Sequence, residues 1–314
     1  MSEKIIVREV GLRDGLQIHP TFMPTEDKLS WIAAEAVAGV SEIEVTSYVP
    51  PKLIPQFADA EEVTRRALQI PGLTVAALIP NLRGAQRGIE LGVHKLNFVM
   101  SVSRTHNQKN VRRTPEESVA DFKAIVELIR QQPEGKRPII CGGLSTALGC
   151  SYEGRIAVED VVRRAVELVE AGADEIVVAD TVGYADPLQV RTVFRAVMKE
   201  IGNVPVAAHF HDTRGTGLAN VTAALDCGVT RFDASLAGLG GCPFAPGATG
   251  NIVMDDLCFM LDSMGYDTGV DLEKLLEVRR IIERSLPDIP MQGALAKAGF
   301  PTNYKTAAQR RKAA

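Results

Sequence analysis

The chain has 314 residues, of which 46% are hydrophobic and 24% charged, and its formal net charge is −4 at pH 7. That length and apolar fraction suffice to bury a large core, while no stretch is apolar for long enough to span a bilayer. The negative balance argues against nucleic acid as a partner, and five scattered cysteines without paired spacing argue against a disulfide framework.

Met1-Ser2-Glu3-Lys4 runs directly into an apolar strand without the pattern of a signal peptide, so a cytoplasmic, soluble protein with no membrane partner is expected. Short β-branched runs then alternate with amphipathic stretches. Strands are predicted at 5–10, 42–46, 74–79, 95–99, 138–142, 175–179, 204–210 and 231–235. The helices between them carry one apolar face, as in Val158, Val161, Val162, Ala165, Leu168 and Val169. Gly39, Gly92, Gly172 and Gly228 recur between a helix and the next strand, where a left-handed C-cap is expected. Eight such units predict an α/β fold, a (β/α)₈ TIM barrel with extra C-terminal helices; an open doubly wound sheet is the competitor. The expected organisation is a single catalytic barrel domain over 1–314. The barrel occupies about 5–265, a helical extension about 271–300, and the basic tail 304–314 is a disordered end.

In such a barrel the chemistry lies at the carboxyl ends of the strands. Strand one leads into Gly11-Leu12-Arg13-Asp14-Gly15-Leu16-Gln17, strand two ends in Glu44-Val45-Thr46-Ser47, and strand six ends in Asp180-Thr181. Strand seven ends in His209-Phe210-His211-Asp212, and period two puts both histidines on one side with Phe210 on the other. The segment 238–251 holds five glycines, Cys242 near its middle and Asn251 at its end. Each residue also has a plainer role. The histidines could be a hydrogen-bonded core pair, Asp14 a turn residue, Asn251 a helix cap, Arg13 an ion-pair partner and Cys242 an inert buried thiol. His19 and His106 read as solvent-facing turn residues, His94 as the start of a strand, and Cys150 as a packed thiol.

Taken as a set, the segment 11–17, Ile43-Glu44-Val45-Thr46-Ser47-Tyr48, Ala147-Leu148-Gly149-Cys150 with Tyr152-Glu153-Gly154, Ala179-Asp180-Thr181-Val182-Gly183, 209–213 and the Gly241-Cys242-Pro243-Phe244 loop resemble the hydroxymethylglutaryl-CoA lyase family. The likeness runs from about Val7 to Leu276. It implies a divalent cation, Mg²⁺ or Mn²⁺, held by Asp14, His209, His211 and Asn251, a donor set of oxygen and imidazole that suits a hard ion. It implies an acyl-CoA thioester partner, 3-hydroxy-3-methylglutaryl-CoA, cleaved to acetyl-CoA and acetoacetate. Arg13 would stabilise the enolate and bind substrate with Gln17; Cys242 would protonate the enolate carbon; Asp14 and His209 would move the hydroxyl proton. Glu44 and Asp180 would orient Arg13 or the metal ligands. A homodimer is compatible with barrels of this kind, although no single patch marks it.

Two stretches depart from the family pattern. Residues 285–294 stand where many members carry an Asn-Arg-Lys-containing stretch near CoA, so CoA contacts there do not carry over. Thr146 and Ser151 flank the Ala-Leu-Gly-Cys loop where other residues are common, which leaves citramalyl-CoA or a longer branched 3-hydroxyglutaryl-CoA as alternative substrates. A Claisen-type synthase or a pyruvate aldolase would share the metal cage but would not need the thiol.

Overall fold

Each predicted strand forms, and each pairs in parallel with the next until the eighth returns to the first. In the computed structural model, which describes residues 3–240, 250–307 and 309–310, the strands are β1 (Ile6–Glu9), β2 (Glu42–Ser47), β3 (Thr74–Ile79), β4 (Lys95–Ser101), β5 (Ile139–Ser145), β6 (Glu175–Asp180), β7 (Val206–Phe210) and β8 (Arg231–Ala234). They close a barrel in the order β1 to β8. The open-sheet alternative is thereby excluded: Ile6, Val7, Arg8 and Glu9 of β1 lie in register with Arg231, Phe232, Asp233 and Ala234 of β8.

The helices are α1 (Thr25–Ala38), α2 (Ala60–Ala67), α3 (Leu82–Leu91), α4 (Arg104–Asn110), α5 (Pro115–Arg130), α6 (Val158–Ala171), α7 (Pro187–Ile201), α8 (Gly217–Leu225), α9 (Met254–Ser263), α10 (Leu272–Ser285) and α11 (Ala294–Ala298). The repeat glycines do what their spacing predicts. Gly39, Gly92 and Gly172 cap α1, α3 and α6 at φ 99°, 79° and 111°, and Gly228 has φ 90°, a region that a side chain disfavours.

The apolar core lies between strands and helices, and β7 illustrates its logic. Phe210 is fully buried, with its ring 6.0 Å from that of Phe194 on α7, while its neighbours His209 and His211 take the opposite face, into the barrel. Burying one such aromatic contributes roughly 1.5–3 kcal/mol.

The barrel interior itself is charged. Arg8, Lys95, Glu175 and Asp233 are all buried there, with Arg8 bonded to Asp233 and Glu175, and Lys95 to Glu175 and Glu42 at 2.8 Å each. Isolated, any of these charges would be very costly to bury, and the alternation of sign is what makes the set tolerable.

The C-terminal part differs from expectation. The start of the tail expected to be disordered packs against α9: Tyr304 Oη donates to Asp262, the Ala307 amide donates to Asp262 at 2.7 Å, and the Tyr304 ring packs on Phe259 and Phe300. A tyrosine and an acidic partner outweigh the basic composition that suggested fraying. Residues 311–314 lie outside the described residues.

Candidate metal centre and active site

The site begins with a tight turn after β1. The amides of Arg13, Asp14 and Gly15 all donate to the carbonyl of Val10, at 3.1, 2.7 and 3.3 Å, which winds 11–15 into a wide helical turn. Gly11 is required there: a Cβ would come within 2.9 Å of Ser235, Glu9 and Trp31. The turn is tied down by Glu9, whose carboxylate accepts from the Gly11 amide and, at 2.9 Å, from the Leu236 amide after β8. Glu35 of α1 is buried against Glu9. Burial pushes both carboxyls up, and the charge of Glu9 adds to the rise at Glu35, so the pair retains a proton.

Arg13 is clamped between two carboxylates, with Nε donating to Glu44 and Nη1 to Asp14 Oδ1 at 2.6 Å. Glu44 also accepts from Asn97 at 2.8 Å. Asp14 is buried, which alone would raise its pKa, but Arg13, the two imidazoles and Asn251 outweigh this and hold it down to about 2.

Asp14, His209 and His211 form a group whose ligand atoms all lie within 4.8 Å of one another. His209 Nε2 and His211 Nε2 are 3.1 Å apart, and Asp14 Oδ2 is 4.0 and 3.5 Å from them. An isolated antiparallel bridge sets Asn251 opposite His211, where its Nδ2 donates to Asp14 Oδ2 at 2.7 Å and to the Leu239 carbonyl at 3.0 Å. Asn251 Oδ1 is buried and has no hydrogen-bond partner among the described residues. Two imidazole nitrogens and a carboxylate oxygen gathered at one point, with an orphaned amide oxygen on the Asn251 that bonds Asp14, are a donor set that fits a divalent cation. Gly240 is needed beside it, since a Cβ there would come 2.5 Å from Asn251 Nδ2.

Arg13, Asp14, Glu44, His209 and His211 line a cavity of about 700 Å³. Gln17 lines it, as do Asn97, Ser145 and Thr181, and apolar Ile18, Leu53 and Val111 stand nearby in its wall. Lys109 and Arg112 add cationic groups to the lining.

Other residues fall elsewhere. Asp180 does not meet Arg13; its two oxygens accept from the amides of Tyr184 and Ala185 at 2.9 and 3.0 Å, which fixes the loop after β6, and burial raises it to about 6. Cys242 and most of its loop, 241–249, lie outside the described residues. Cys150 packs as expected, fully buried with Sγ 3.1 Å from Ser103 Oγ. His106, expected to face solvent, is buried, its Nδ1 2.7 Å from Ser101 Oγ, and burial lowers it to about 4. Its neighbours are polar enough to look like loop, but α4 folds its first turn back onto β4.

Sequence reading also missed Asp233, whose Oδ2 lies 3.1 Å from His209 Nδ1. The signal was an acid at alternate spacing inside β8; its meaning depended on which strand lay beside it.

Residues 4–282 match the HMGL-like family model. The chain belongs to that family. It is 42% identical to the hydroxymethylglutaryl-CoA lyase of Bacillus subtilis over 90% of this chain and 94% of that one. It is 39% identical to the cytoplasmic 3-hydroxy-3-methylglutaryl-CoA lyase of Rattus norvegicus over 88% and 80%. Among solved structures, an HMG-CoA lyase from Acinetobacter baumannii in complex with coenzyme A and 3-methylmalate superposes with a TM-score of 0.89, covering 96% of this chain and 97% of that one at 42% identity. As a family member the chain is a carbon–carbon lyase on a TIM barrel, and no helix among the described residues is long and apolar enough to cross a membrane.

Proposed function

We propose that this chain cleaves 3-hydroxy-3-methylglutaryl-CoA to acetyl-CoA and acetoacetate in the cytoplasm, using a divalent cation held by Asp14, His209, His211 and Asn251. The observation that carries the reading is the meeting of Asp14, His209 and His211 at the floor of the cavity beside Arg13, with Asn251 bonded to Asp14. When bound, a hard ion such as Mg²⁺ or Mn²⁺ would supply Lewis-acid charge that polarises the substrate oxygens.

The protein groups account for the remaining steps. Asp14, side by side with His209 at the cavity floor, takes the proton from the substrate's 3-hydroxyl. As the C3–O bond becomes a carbonyl, the bond between C2 and C3 breaks and its electron pair becomes the enolate of acetyl-CoA. Arg13 has Nε and Nη1 committed to Glu44 and Asp14, so its orientation is set before substrate arrives and Nη2 is left for the thioester oxygen. Glu44 and its Asn97 partner hold that aim. Gln17 binds the distal carboxylate. Cys242 delivers the proton that converts the enolate carbon to the methyl group of acetyl-CoA, and Asp180 serves the site by fixing the loop at 184–185.

A coupled assay over a panel of CoA thioesters, with the released keto acid identified directly, tests the proposal. Acetoacetate from the hydroxymethylglutaryl thioester is expected. Turnover confined to citramalyl-CoA, with pyruvate released, would overturn the substrate assignment while leaving the metal centre in place.

A further inference from the structure

His209 is one of three donors gathered at a point, yet a neutral imidazole can serve a cation only through the nitrogen that lacks the proton. Which nitrogen that is depends on what its other nitrogen meets. In the barrel, β7 and β8 are in register at His209 and Asp233, and β8 and β1 are in register at Asp233 and Arg8. The three side chains lie on one rung across three strands. Asp233 Oδ2 is 3.1 Å from His209 Nδ1, and Asp233 Oδ1 accepts from Arg8 Nε at 2.6 Å and is ion-paired with Nη2 at 2.5 Å. Arg8 is anchored in turn by Glu175, which Lys95 also grips. All are buried.

A carboxylate paired with a guanidinium can only accept. The proton on His209 must then sit on Nδ1, and Nε2 presents its lone pair towards His211 Nε2 and Asp14. We propose that Asp233, held by Arg8, is a positioning residue that locks His209 in the tautomer whose Nε2 binds the cation. The barrel's buried charges thus extend the metal centre one layer down. The inference rests on the metal reading above, because it assigns a purpose to Nε2 only if a cation binds there.

Asp233→Asn is the discriminating variant. Arg8 still demands an acceptor, so the amide oxygen turns to Arg8 and the amide NH₂ faces His209 Nδ1. That nitrogen must now accept, which moves the imidazole proton to Nε2 and blocks the ligand atom. Loss of an outer partner of this kind typically costs about 10–100-fold in metal affinity. Mn²⁺ binding by the full chain, read from the electron paramagnetic resonance of free Mn²⁺, should weaken by that factor, with turnover partly rescued by raising Mn²⁺.

Nitrogen-15 NMR of the imidazoles supplies a second arm that needs neither metal nor variant. With five histidines in the chain, His209 of the metal-free protein should show the Nδ1–H form, and the Asp233→Asn variant the Nε2–H form. An Nε2–H His209 in the unsubstituted protein would overturn the inference even if Asp233→Asn fails to fold. So would an Asp233→Asn variant that binds Mn²⁺ within about twofold of the unsubstituted chain, well short of the loss expected for a removed outer partner. Failure of the unsubstituted chain to bind Mn²⁺ at all, with Nδ1–H intact, would instead remove the metal reading and, with it, the purpose proposed for the lock.

Discussion

Arg13→Ala removes a guanidinium that two carboxylates hold in place before substrate binds. The loss of a preorganised donor to a developing oxyanion typically costs on the order of 10²-fold or more in rate, about 2.7 kcal/mol at the barrier. Arg13 has a second consequence, because Nη1 is bonded to Asp14, one of the proposed metal donors. Taking away that cation leaves the Asp14 carboxylate less neutralised, so divalent metal should bind as tightly as before or more tightly. The expected signature is therefore split: kcat for hydroxymethylglutaryl-CoA falls at least about 10²-fold while the Mn²⁺ dissociation constant does not rise. Arg13→Lys should behave similarly, since an ammonium cannot reproduce the fork that spans Glu44, Asp14 and substrate. Steady-state turnover at several Mg²⁺ concentrations, with Mn²⁺ titrations alongside, separates the roles. Arg13→Ala enzyme whose turnover returns to normal at saturating Mg²⁺ would show that the arginine only props Asp14, and the enolate assignment would fall.

Chelation should abolish activity and Mg²⁺ or Mn²⁺ should restore it, because the donors are oxygen and imidazole without thiolate; full activity in rigorously metal-free protein would remove the assignment of all four ligands. Cys242→Ser should still bind acyl-CoA and metal while turnover drops sharply, a hydroxyl being a far weaker acid than a thiol; thiol alkylation should inactivate the enzyme, with substrate protecting it. The buried Glu9–Glu35 pair gives a signed pH effect. Its carboxyls are raised in the folded state, so the native chain holds more protons than the unfolded one, and the pair's contribution to stability is present below the unfolded value and lost as pH rises through the folded one. Urea midpoints of Glu35→Gln, which mimics the protonated form, should therefore fall less between pH 5 and pH 8 than those of the unsubstituted chain, and equal slopes would refute the shared proton.

What was legible in the sequence was whatever local geometry dictates. Alternation in β7 is enough to put His209 and His211 on one face, and the left-handed caps need only a glycine after a helix. The expected strands at 95–99 and 138–142 stop short of β4 and β5, and in the second Gly142-Gly143 has the look of turn punctuation. In the barrel those glycines pair with Phe98 and Val99 of β4, and the strands run on to Ser101 and Ser145, both inside the polar upper end. A Cβ at Gly142 would meet Leu168 at 2.8 Å, so the residue that suggested a break is the one that lets helix and strand approach.

The charged interior could not be read in the same way. Arg8, Lys95, Glu175 and Asp233 each sit at alternating positions in otherwise apolar strands, and singly each looks like an unfavourable burial. Their compatibility appears only when the sheet closes, for Arg8 and Asp233 are 225 residues apart and meet because β8 lies beside β1. The same closure brings Asn251 across to Asp14 and ties Glu9 to the amide of Leu236. The proposed donors His209 and His211 were thus foreseeable from spacing, whereas Asp233 beside His209 is itself held by Arg8 from the opposite end of the chain. A change at the β1–β8 seam should for that reason disturb His209 and Asp14 together, although neither residue is altered.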